Sequence, residues 1–88
     1  MEAKILNLAE ALRLYNLYAP TLEKYNTAYE LTINNAEVLA EAANILTGIS
    51  VDEIDKMSIS EIVPVMVKGL EMNEIFSMSS AFKLLGVG

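Results

Sequence analysis

The sequence contains no cysteine and no histidine. Disulfides, thiol redox chemistry, the usual zinc and copper ligands and the commonest nucleophile–base pairs are excluded with them, leaving carboxylates, Lys, Arg, Tyr and hydroxyls. Cations are scarce as well: Lys and Arg number 6 against 12 Asp and Glu, a net charge of −6. Such a chain repels phosphate backbones, and no basic patch interrupts the acidic balance, so nucleic acid and anionic membranes are poor partners. No apolar run approaches the ~18 residues of a membrane-spanning helix, and residues 1–15 are broken by charge every few positions. The expected setting is the cytoplasm, without a signal peptide. Glycine-rich phosphate loops, Ser-His-Asp order and His-Glu-x-x-His helices are missing, so neither an enzyme nor a cofactor-binding protein is expected.

Apolar surface, by contrast, is in excess. The 88 residues are 53% hydrophobic, with a mean hydropathy of +0.36, whereas soluble domains average about 45–50%. A domain this short hides only about 60–65% of the surface its unfolded chain exposes. One small core cannot absorb the surplus, so the composition predicts contact with a protein partner or with further copies of the chain.

The pattern is helical throughout. Ile5, Leu8, Leu12 and Tyr15 recur at spacings of three and four and predict a first helix from Glu2 to about Ala19, ended by Pro20. Thr21 offers an N-cap for a second segment through Leu22, Tyr25, Ala28 or Tyr29, and Leu31 or Ile33. Asn34 with Glu37 has the spacing of a capping box, opening a third helix whose buried face is Val38, Leu39, Ala42, Ile45 and Leu46 and whose stop is Gly48. Ser50 with Glu53, and Ser58 with Glu61, repeat that spacing for a fourth and a fifth helix. The fifth, ISEIVPVMVKGLEMNEIFSM, is apolar through Ile62, Val63, Met66, Val67, Leu70, Ile75 and Phe76, and Pro64 should displace its start. Residues 79–88 carry two glycines near their end and are expected to fray. The fold expected over residues 1–88 is one all-α domain, a small bundle of four to five helices.

Among the acidic groups, Asp52, Glu53 and Asp55 are dense enough for a hard cation, but the glycine and ligand spacing of a calcium loop are missing. Carboxylates in a first helical turn serve the macrodipole, so no metal is expected there. Tyr15, Tyr18, Tyr25 and Tyr29 gather on either side of Pro20, as an aromatic core or as an interface patch. Met57, Met66, Met72 and Met78 fill core gaps or supply an adaptable surface. The residues chosen for protein binding are Tyr18, Tyr25, Tyr29, Met66, Met72, Ile75 and Phe76, each of which has a core role as its alternative.

The run Leu46-Thr47-Gly48-Ile49-Ser50-Val51-Asp52-Glu53-Ile54-Asp55-Lys56-Met57, continued by Ser58-Ile59-Ser60-Glu61-Ile62, resembles the tail assembly chaperones of long-tailed bacteriophages. In that group a helix often ends in Leu-Thr-Gly, a Ser/Thr-capped acidic turn follows, and the next helix starts after a short gap. The resemblance implies a non-virion factor, in a phage or prophage, that keeps the hydrophobic tape-measure protein soluble while tail-tube subunits polymerise around it. Many members open with a short strand-forming segment, where residues 1–19 here read as helix. Two further readings stand beside it: a structural phage component such as a head–tail connector subunit, and a small acidic regulator of a basic protein surface.

Overall fold

Asn7 sets where the first helix begins. The computed structural model describes residues 1–86. In it the Asn7 side chain accepts from the Glu10 amide at 2.9 Å, while Glu10 Oε1 accepts from the Asn7 amide at 3.1 Å. This reciprocal capping box satisfies amides that a helix start leaves free, and α1 spans Leu8–Tyr18. The helix expected from Glu2 is therefore corrected at its start, since residues 1–6 are not helical. Its buried stripe moves too. Ile5 and Leu8 are 66% and 73% exposed, and the buried residues are Leu14, Tyr15 and Tyr18.

Past Pro20 the single segment expected from Thr21 divides. A 3₁₀ turn covers Leu22–Lys24, and α2 spans Ala28–Ile33 under Thr27, whose hydroxyl oxygen accepts from the Glu30 amide at 3.1 Å. Thr21 caps nothing. Its hydroxyl donates to Asn35 Oδ1 at 2.8 Å, and the buried Asn35 in turn donates from Nδ2 to the Leu31 carbonyl at 2.7 Å. Asn34 closes α2 by donating to the Glu30 carbonyl instead of opening the next helix. A second 3₁₀ turn, Ala36–Val38, leads into α3, Leu39–Thr47.

At Gly48 and Ser50 the local signals act as expected, whereas Ser58 makes no cap bond and its hydroxyl donates to Glu61 Oε1 at 3.0 Å instead. Gly48 ends α3 in the left-handed region at φ 79°, and Ser50 accepts from the Glu53 amide to start the short α4, Val51–Ile54. Ser58 precedes α5, Ile59–Met72, with Pro64 inside it. Pro64 does not displace this start. The buried stripe Ile62, Met66 and Leu70 holds α5 against α2 and α3, and that burial outweighs one missing helical hydrogen bond early in the helix. Val63, Val67 and Phe76, on the apolar surface of the expected fifth helix, are half-buried.

The expected fifth helix breaks at Asn73–Glu74, where Glu74 takes a left-handed conformation at φ 49°. A final helix, α6, spans Ile75–Leu84. Residues 79–84 are therefore helical where fraying is expected: Ser79 and Phe82 are buried, and the Phe82 ring lies 5.2 Å from that of Tyr15. Lys83 also pairs with Glu23 across the Pro20 turn. The end of the expected frayed tail, Val87 and Gly88, lies outside the described residues.

The described residues thus form six α-helices and no strand, an all-α bundle. The α2 and α3 helices pack on α5, and α1 packs on α3 and α6. The radius of gyration, 12.1 Å, matches the roughly 12 Å expected of one compact domain of this length.

Candidate functional site

Burial sorts the residues chosen for protein binding into two groups. Tyr18, Met66 and Ile75 are core side chains with essentially no accessible surface, so in this fold they have none to offer a partner. Tyr25 and Phe76 are half-buried, and Tyr29 and Met72 are exposed. The correction has a simple physical source. Alternation at helical spacing marks which residues share a face, but not which of two packed faces is turned outward.

Of the four accessible residues, Phe76 lines one groove and Met72 another. An open groove of about 420 Å³ runs between residues 26–28 and the corner joining α5 to α6. Its lining is mixed: Asn26, Thr27, Glu71, Glu74 and Ser77 stand beside Ala28, Leu70, Ile75 and Phe76, and of these four apolar residues only Phe76 is more than marginally accessible. Tyr25 and Tyr29 bracket the 26–28 wall in sequence. The Thr27 cap fixes that wall by starting α2, and the left-handed Glu74 fixes the opposite side by turning the chain into α6. Met72 lies elsewhere. It lines a second groove, of about 470 Å³, formed by residues 1–3 along Pro64, Val65 and Lys68 of α5.

Sequence reasoning missed the acidic edge at Glu71 and Glu74, because both read as polar positions of one continuous helix. It also missed the outward placement of Ile5 and Leu8. Leu84 and Leu85 stand in the segment expected to fray and are exposed, Leu84 at 90%.

The Tyr18 hydroxyl is buried without a hydrogen-bond partner, and burial, reinforced by the nearby Glu37 carboxylate, pushes its pKa above the ordinary tyrosine value. It stays neutral and enclosed. The Glu10 carboxyl is held below its usual range by the Lys4 ammonium and the Asn7 amide. Asp52 and Glu53 occupy the first turn of α4 and Asp55 its C-cap, all exposed. Among the described residues no three carboxylates gather in a way that could hold a metal ion. No helix among them is long and apolar enough to cross a membrane.

No family model matches the chain, and neither a curated protein nor a solved structure does.

Proposed function

We propose that this chain is a non-catalytic tail assembly chaperone of a long-tailed phage or prophage, binding hydrophobic helical segments of the tape-measure protein and helping to recruit tail-tube subunits. The observation that carries the reading is the open groove between residues 26–28 and the α5–α6 corner, whose lining the half-buried Phe76 shares with Glu71 and Glu74. An amphipathic client helix lays its apolar face into such a groove. Glu71 and Glu74 then favour client segments that carry Lys or Arg beside the apolar stripe. The net charge of −6 keeps the loaded complex soluble. Residues 1–6 are not helical, but they form no strand either, so the departure from the family at the start of the chain stands.

A head–tail connector subunit is the second reading, favoured by apolar side chains exposed away from the groove, Ile59, Leu84 and Leu85 among them. Such a subunit buries them permanently in a ring.

Co-expression decides between the two. The full chain is produced together with a tape-measure protein of a long-tailed phage, and the soluble fraction of that client is measured. The chaperone keeps the client in solution, and Phe76→Asp in the groove returns it to the pellet. An insoluble client in the presence of the folded chain overturns the proposal, as does a stable closed ring of the chain alone by light scattering.

A further inference from the structure

Residues 4–6 are held to the body of the protein in the way a bound peptide is held. Asn73 grips them with both ends of its side-chain amide: Oδ1 accepts from the Leu6 amide at 2.8 Å, and Nδ2 donates to the Lys4 carbonyl at 3.0 Å. The Lys4 amide donates to the Leu46 carbonyl at 2.9 Å. That carbonyl is one of those a helix end leaves without an intrahelical partner. These bonds all use the segment's backbone, so they read its extended course and not its side chains. Shape enters at one position. A Cβ placed on Gly69 would sit 3.0 Å from Ala3 Cβ and 2.9 Å from Leu46 Cδ1, so the missing side chain is what lets the segment lie against α5.

Leu46, Gly69 and Asn73 therefore form a fixed clamp on α3 and at the end of α5, and residues 1–6 are its occupant. The joint between them is Asn7, extended at φ −78° and ψ 176°, whose hydrogen bonds run to Glu10 and Ala11 of α1.

We propose that this clamp also takes residues 1–6 of a second copy, giving a dimer in which each chain lends its leading segment to the other. Exchange replaces each clamp bond by the same bond between chains, and the Lys4–Glu10 ion pair changes partner in the same way. What favours the second copy is the placement of Ile5 and Leu8. Both flank the joint and are largely exposed when the segment binds its own chain. In the exchanged pair the two joints pass one another, so these side chains cover each other and apolar surface leaves water. The inference goes beyond the proposed function and does not depend on it.

Because the sequence has no cysteine, introduced thiols report cleanly. Glu2 and Lys68 are exposed and line the same groove. A tagged Glu2→Cys chain is mixed with an untagged Lys68→Cys chain, warmed briefly and treated with a short bismaleimide. Exchange yields a cross-linked heterodimer whose fraction grows with total concentration. Placing Asn73→Ala in the Lys68→Cys chain lowers that yield at least tenfold. Should this variant lose its helical circular dichroism, Leu6→Pro in the Glu2→Cys chain removes the clamped amide and leaves the body intact. The proposal is overturned if the mixture gives no heterodimer while the doubly substituted chain links to itself at every concentration. It is equally overturned if heterodimer forms with undiminished yield when the clamp or its amide is lost.

Discussion

Tyr15 and Tyr18 are buried where α1 meets α3 and α6, whereas Tyr25 and Tyr29, just beyond Pro20, are half-buried and exposed. The residue type is the same and the sequence distance is small. What differs is the backbone beneath them. Before the proline an eleven-residue helix presents one continuous face to two neighbours. After it, Tyr25 closes a 3₁₀ turn, and Tyr29 lies on the six-residue α2, which buries Ala28, Leu31 and Thr32 and leaves Tyr29 outward. One tyrosine pair therefore holds the fold together, and the other stays accessible, on either side in sequence of the residues 26–28 that line the groove. The lesson is that aromatic clustering in sequence does not mark a common environment: the neighbours of each helix face decide which rings are buried.

The largest expected effect comes from breaking the buried side of this comparison. Tyr18→Ala removes a fully buried ring and should lower stability by about 3–5 kcal/mol. Against the roughly 5–15 kcal/mol of a native domain, that is enough to shift a urea transition close to water. A loss below about 1 kcal/mol would mean that Tyr18 is not a core residue.

A smaller effect separates the Tyr18 hydroxyl from its ring. Its pKa is raised in the fold, so the stability it contributes is complete below the ordinary value of about 10 and declines as pH rises above it, because only the unfolded chain then ionises. The expected slope is at most about 1.4 kcal/mol per pH unit. Tyr18→Phe should remove this part of the alkaline decline in chemical denaturation, and should leave neutral-pH stability unchanged or slightly raised, since the hydroxyl lacks a partner. An unchanged alkaline slope in the variant would contradict its burial.

The smallest expected change in stability is on the other side of Pro20. Tyr29→Ala should alter stability by no more than about 0.5 kcal/mol, yet reduce client capture in the co-expression assay. A large loss of stability would erase the division between the two pairs.

How much of this was legible in sequence follows the range of the forces involved. Gly48 and the Ser50–Glu53 cap act within a few residues of themselves, and both stand where the pattern puts them. The Asn7–Glu10 box is equally local, but it was hidden by an apolar stripe that continues through it, Ile5 and Leu8 being at helical spacing without being buried. The break at Asn73–Glu74 could not be read locally. No proline or glycine marks it, and Asn73 is committed there by bonds to Lys4 and Leu6. The groove inherits that difficulty, because its acidic edge exists only once the long helix is divided.

Asn73 also sets an order of events during synthesis. The amide it holds belongs to a residue made 67 positions earlier. At about 5–20 residues per second, roughly 3–13 s pass between the appearance of the leading segment and that of its own clamp. Throughout that interval the only clamps it can meet are those of chains already finished. Neighbouring ribosomes on one message hold such chains close by, so the timetable of translation, as well as the final concentration of protein, determines whose Asn73 a given leading segment meets first.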